Sequence, residues 1–188
     1  MKTPHIFFTA RILLIVSCSA CKSGDDTPEP DPDNPLRDVI TFKISENGGD
    51  AQEYAVFEAV LGVYNGALST YVEGQPRVLT MSGATTDGTY SFSIVTPDVG
   101  KDIIGDYTIT KGGTSAGEVT WAVTKSLGSS GVLSLLGESG TMKITAATDD
   151  GEVMRISGSF NLNGTDANGG TFSISEGVID RLPVRKAP

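Results

Sequence analysis

Beyond Cys21 the chain contains neither cysteine nor histidine. Everything after that point is therefore closed to disulfides, Cys/His zinc sites, thiol nucleophiles and any Ser-His-Asp arrangement. Aromatic residues are scarce at 7%, and Trp121 is the sole tryptophan. The longest aliphatic run, Ile12 to Val16, is too short to cross a bilayer. Basic charge is also short, with 14 Lys+Arg against 23 Asp+Glu for a net of −9. A chain beginning at Cys18 loses two further positive charges and stands at −11, which argues against nucleic acid as a partner. What is present in excess is glycine, at 23 of 188 residues, in a length that suits one domain.

The N-terminus reads as an address. Lys2, His5 and Arg11 surround the apolar run, small residues follow, and a cysteine closes the segment, in the order of a secretory signal over residues 1–17. Ile15-Val16-Ser17-Cys18 resembles a bacterial lipobox, which makes Cys18 the expected acylated residue. Ser19-Ala20-Cys21 offers Cys21 as the alternative. Residues 18–37 then supply a polar, acidic stretch with four of the nine prolines. Such a composition cannot bury apolar area and is expected to serve as a disordered tether. Asp25-Asp26 is similar to the export signal that sends lipoproteins of Bacteroidota to the face of the outer membrane. The membrane, reached through an N-terminal lipid, is the expected partner, and the outer membrane the expected location.

Residues 38–188 form the expected folded domain. Apolar and small polar residues alternate, no amphipathic helix is evident, and Gly, Asn and Asp clusters punctuate the chain. Strands are expected near Val39–Ile44, Tyr54–Leu61, Ala67–Val72, Val78–Ser82, Thr89–Thr96, Tyr107–Thr110, Val119–Thr124, Met142–Ala146, Met154–Leu162 and Thr171–Val178. The fold class is all-β, a single antiparallel sandwich or barrel-like domain of short strands with hairpin connections. One pattern recurs: Gly88-Thr89-Tyr90-Ser91-Phe92, Gly105-Asp106-Tyr107-Thr108-Ile109, Gly140-Thr141-Met142-Lys143-Ile144, Gly158-Ser159-Phe160-Asn161-Leu162 and Gly170-Thr171-Phe172-Ser173-Ile174. Each reads as a glycine turn entering a strand whose two apolar residues share the core face. The glycine spacings of 17, 35, 18 and 12 are irregular, which excludes a solenoid or propeller.

Ser139-Gly140-Thr141-Met142-Lys143-Ile144-Thr145, Ile156-Ser157-Gly158-Ser159-Phe160 and Gly170 through Ile179, in that order, resemble the closing strands of a family of Bacteroidota lipoproteins. Leu79-Thr80-Met81-Ser82-Gly83 and Asp87-Gly88-Thr89-Tyr90 are similar to two earlier elements of that family. Phe57-Glu58-Ala59 stands where members often carry Trp and Ala two residues apart. The resemblance implies an architecture and an address but no mechanism.

Without His or Cys, catalysis would rest on carboxylates, as in glycoside hydrolysis. Glu58, Glu73, Asp106, Glu118 and Glu176 are the candidates by position, although charged strand residues ordinarily mark a solvent face. Trp121 raises sugar stacking, but Val119 and Val123 share its face, so it is expected in the core. Tyr64 and Tyr71, flanking an expected hairpin at Asn65-Gly66, are the better ligand platform. Asp149-Asp150-Gly151-Glu152 and Asp166-Ala167-Asn168-Gly169 gather oxygen donors without EF-hand spacing and read as turns, so no metal or cofactor is expected. Asn163-Gly164-Thr165 reads as a turn, and Gly128-Ser129-Ser130-Gly131 as a loop without a phosphate cradle. The expected function is a lipid-anchored envelope protein acting as a binding or structural surface module, with a glycan or envelope protein as partner. The alternative is a small carboxylate-dependent hydrolase acting on glycans.

Overall fold

A computed structural model describes residues 38–57 and 64–186. The expected signal peptide and tether, with Cys18 and Cys21, lie outside the described residues, as does Glu58. Ten strands follow one another: β1 (Asp38–Glu46), β2 (Gln52–Phe57), β3 (Tyr64–Leu68), β4 (Leu79–Ala84), β5 (Tyr90–Thr96), β6 (Gly105–Thr110), β7 (Glu118–Ser126), β8 (Val132–Asp149), β9 (Val153–Asp166) and β10 (Thr171–Lys186). The fold is all-β, as the alternation implied. A single turn of 3₁₀ helix, Gly128–Ser130, links β7 to β8, where a loop was expected.

All ten strands belong to one sheet that closes on itself. Successive hydrogen-bonded neighbours β10, β9, β8, β7, β5, β4 and β3 lead back to β10, where Arg185 and Lys186 lie beside Ala67 and Leu68. The first half of β10 holds β1 on that same edge, and β2 lies outside β1. A backbone bond from Thr86 N to Ala55 O, 3.0 Å, ties the outer side of β2 to the turn after β4. Two short pairings, β3 with β10 and β6 with β7, run parallel, so the sheet is mixed where an antiparallel one was expected. The first joins segments at opposite ends of the domain and the second joins consecutive strands, and no turn signal announces a parallel pair of either kind.

The recurring apolar pairs all point inward. Tyr90 and Phe92, Tyr107 and Ile109, Met142 and Ile144, Phe160 and Leu162, and Phe172 and Ile174 are all buried. Rings run in a continuous chain through the interior. Phe92 stacks on Trp121 (6.1 Å between centroids), Trp121 meets Phe160 (4.6 Å), Phe160 meets Phe42 (6.3 Å), Phe42 meets Tyr54 (6.0 Å), and Tyr54 abuts Tyr90 edge-on (4.8 Å). Each such pair contributes about 0.5–1.5 kcal/mol beyond the burial of its area. The barrel is filled by side chains.

Three of the five motif glycines lie in strands: Gly105 opens β6, and the other two are in strand interiors. Gly140 lies inside β8 and Gly158 inside β9, and both strands continue far past the lengths expected for them. A Cβ on Gly158 would stand 2.0 Å from the Lys143 carbonyl oxygen. Glycine there permits close approach of β8 and β9, which a turn-based reading misses. Asn163-Gly164-Thr165 likewise lies within β9, and Asn65-Gly66 lies within β3, opposite Ser82 and Met81 of β4, so neither is a turn. The segment from Ser69 to Val72, expected as strand, belongs to the β3–β4 connection. Strand β10 bends at register shifts between Ile174 and Gly177 and between Ile179 and Leu182, where Glu176 and Arg181 take φ of 51° and 46°. These bulges let one strand of 16 residues coil around the barrel.

At one end of the barrel, Arg77 is only 8% exposed and pins two connections. Its Nε donates to Ser69 O (3.2 Å) and its Nη1 to Lys101 O (3.1 Å), while its backbone N–H donates to the Asp98 carboxylate (3.1 Å). Nearby, the Tyr107 hydroxyl donates to Ile103 O at 2.6 Å. Burial, reinforced by Asp102, pushes that phenol up to about 12.

Candidate functional site

The outer wall carries a groove of about 400 Å³ where β1, β10, β9 and β8 lie side by side. Its axis is a row of small polar residues in register: Ser45 opposite Ser173, Ser173 opposite Asn163, and Asn163 opposite Ser139. Period-two alternation explains the row, because Ile44, Ile174 and Leu162 next to it face the core. Strand β8 bulges between Gly137 and Ser139, and Glu138 stands at the groove's edge. There its Oε1 accepts from Thr165 Oγ1 (2.8 Å) and Lys111 Nζ (3.1 Å). Those two donors, Thr165 foremost, hold the carboxyl below the usual glutamate range. At the opposite edge the β1–β2 turn is locked to β10. Asn47 N donates to Thr171 O (2.7 Å), and Thr171 N donates to Asn47 Oδ1 (2.9 Å).

Glu138 is the one charged side chain among the groove's lining residues. Hydroxyls and one carboxamide supply the rest of its polar character, so the groove can exchange hydrogen bonds with an uncharged polar ligand. Among the described residues it offers no exposed ring for stacking. A second hollow, about 510 Å³, lies toward the other end against Glu152, Val153, Arg185 and Lys186. Lys186 is already paired there with Asp149 at 2.7 Å.

The barrel end nearest the groove is closed by a polar cluster. Glu46 accepts from Tyr90 Oη and from Lys125 Nζ, both at 2.6 Å, and the Lys125 ammonium lies 5.7 Å from the Tyr90 ring centroid. Burial pushes the Glu46 carboxyl up, but the bonds from Lys125 and Tyr90 prevail and hold it below the usual range. Burial, with Glu46 beside it, drives the Tyr90 phenol far upward. The cluster caps the aromatic chain and satisfies its terminal hydroxyl.

Among the described residues, those singled out in the sequence lie at separate places. Trp121 is 2% exposed, lies between Phe92 and Phe160, and its indole N–H finds no acceptor among the described residues. Tyr71 is 39% exposed in the β3–β4 connection. The Tyr64 backbone pairs with Gly83, and its side chain lies outside what is described. Glu73 is exposed in the same connection as Tyr71, and Asp106 pairs with Lys143 at 3.4 Å. Glu176 pairs with Lys43 at 2.6 Å on a bulge of β10. Glu118 accepts from the backbone N–H groups of Ser115 and Thr114, which lower its pKa.

Asp149, Asp150 and Asp166 of the two oxygen-rich turns are engaged by protein donors. Asp149 accepts from Gly151 N and Lys186, Asp150 pairs with Arg155, and Asp166 accepts from Asn168 N and Gly170 N. Among the described residues no group of three or more His, Cys, Asp or Glu side chains could hold a metal ion. The groove, the Glu46 cluster and Arg77 escaped the sequence reading because their partners lie far apart along the chain. Glu46 reaches Tyr90 across 44 positions and Lys125 across 79. The chain matches no protein-family model, no curated protein and no solved structure.

Proposed function

We propose that this chain is a lipid-anchored protein of the bacterial envelope, held at the outer membrane through Cys18, with Cys21 as the alternative. Its barrel acts as a binding module on its outer wall. The observation that carries this reading is the in-register row Ser45, Ser173, Asn163 and Ser139 along a groove outside a side-chain-filled interior. With the inside occupied, a ligand has the wall to bind to, and this part of the wall presents neutral donors and acceptors. A glycan strand is the ligand class that such a lining suits. Two-carboxylate cleavage has little support, since the groove holds Glu138 alone.

Calorimetric titration with a panel of neutral oligosaccharides tests the groove. Asn163→Ala and Ser173→Val each weaken binding by about tenfold, the cost of a lost hydrogen bond. Equal affinity in wild type and both variants puts the ligand elsewhere. Intact mass of the membrane-extracted protein, beside Cys18→Ala and Cys21→Ala, tests the anchor. An unacylated N-terminus in the wild-type protein refutes it.

A further inference from the structure

At the groove, strand β8 carries one residue more than its partner. Gly137 lies opposite Gly164 and Ser139 opposite Asn163, which leaves Glu138 as the extra residue of a bulge. Alternation breaks there. Leu135 and Gly137 are buried, while Glu138 and Ser139 are both exposed and both line the groove. The core side of the bulge is tightly packed, since a Cβ on Gly137 would stand 3.1 Å from Trp121 Cβ. Bulges re-aim side chains, and the one re-aimed here carries the groove's only charge among its lining residues.

The hydrogen bonds of that carboxylate are one-sided. Thr165 Oγ1 (2.8 Å) and Lys111 Nζ (3.1 Å) both donate to Oε1, and Lys111 does not itself line the groove. Among the described residues Oε2 receives no hydrogen bond. A hydroxyl has a single proton, and that of Thr165 is taken up by Glu138, so Thr165 too has only acceptor capacity left for a ligand. The neighbouring Ser139 and Ser173 hydroxyls and the Asn163 carboxamide can both donate and accept. Glu138 and Thr165 together only accept. A ligand must therefore bring donors to this end of the groove, and adjacent donors are what a sugar offers, as a vicinal diol or as the ammonium and hydroxyl of an amino sugar. A carboxylate or sulfate brings none, and it meets a carboxyl that Thr165 and Lys111 keep ionised at neutral pH.

On the reading that this groove holds a glycan, we propose that Glu138, with Thr165 beside it, is its specificity-determining residue, accepting from a diol or amino alcohol of a sugar unit and turning acidic sugars away.

Calorimetric titration of the full chain in detergent tests this, with β-linked tetramers of mannose, mannuronic acid and glucosamine as probes. The first two differ only in the carboxylate. The wild-type protein is expected to bind the mannose and glucosamine tetramers and to hold the mannuronic acid tetramer at least about tenfold less tightly. Glu138→Gln, similar in shape and uncharged, weakens the mannose and glucosamine tetramers about tenfold and closes most of the gap to the acid. Lys111→Gln, which leaves the carboxylate in place, keeps the wild-type order. Circular dichroism confirms the fold of each variant, and Glu138→Ala reads the same ratio if Glu138→Gln unfolds. A Glu138 that merely holds β8 in shape would lower all three affinities by one factor. That result, or a wild-type protein binding mannuronic acid as tightly as mannose, overturns the proposal, while loss of binding in Asn163→Ala would still uphold the groove as the glycan site. If the wild-type protein binds none of the tetramers, the glycan reading of the groove falls and this proposal with it.

Discussion

Trp121 shows how much one residue carries here. Its ring links β7 to Phe92 and Phe160 across the core, yet its N–H is buried without an acceptor among the described residues. Trp121→Ala removes the packing and costs about 3–5 kcal/mol. Trp121→Phe keeps most of the contact, deletes the unpaired donor, and costs under about 1.5 kcal/mol. Urea unfolding followed by circular dichroism separates the two. The Glu46 cluster makes a pH-dependent contribution. Because the folded carboxyl titrates below its ordinary value of 4.5, its stabilisation is complete above that pH and is lost as pH falls through the folded value. Glu46→Gln is expected to lose about 1 kcal/mol at neutral pH, the side chains being partly solvated, and to soften the fall in Tm on acidification below the ordinary glutamate value. A variant melting like wild type at neutral pH and equally acid-sensitive would show that the cluster contributes nothing.

Among the strands, period-two alternation carried the sequence reading, and it marked the core face correctly in all five glycine motifs. Physics local to a strand is legible because burial acts on alternate residues whatever the partner is. Length was less legible. Gly140, Gly158 and Gly164 look like strand ends, but they sit inside β8 and β9. A Cβ on Gly164 would meet the Leu136 carbonyl at 2.0 Å and the Phe172 ring at 2.5 Å, a demand set by neighbouring strands. Asn65-Gly66 failed for the converse reason, since pairing with β4 overrides a strong turn preference. Gly158→Ala is expected to force β8 and β9 apart and cost about 3 kcal/mol. Gly158→Ala melting as wild type in a thermal scan would contradict the close approach.

For the whole molecule, the decisive property is that the barrel is closed and full. The groove follows from strand register around the ring and has no sequence signature. Ser45, Ser139, Asn163 and Ser173 become neighbours only once four strands align. A filled interior also sends function outward, which separates this barrel from one that encloses a ligand. The single tryptophan reports on that directly. Fluorescence of Trp121 is to be measured with acrylamide and then with a series of lipophilic ligands. The account predicts blue-shifted emission, little quenching, and no response to any apolar ligand. Red-shifted emission, or saturable quenching by a lipophile, would show an interior open to solvent or ligand and would contradict it.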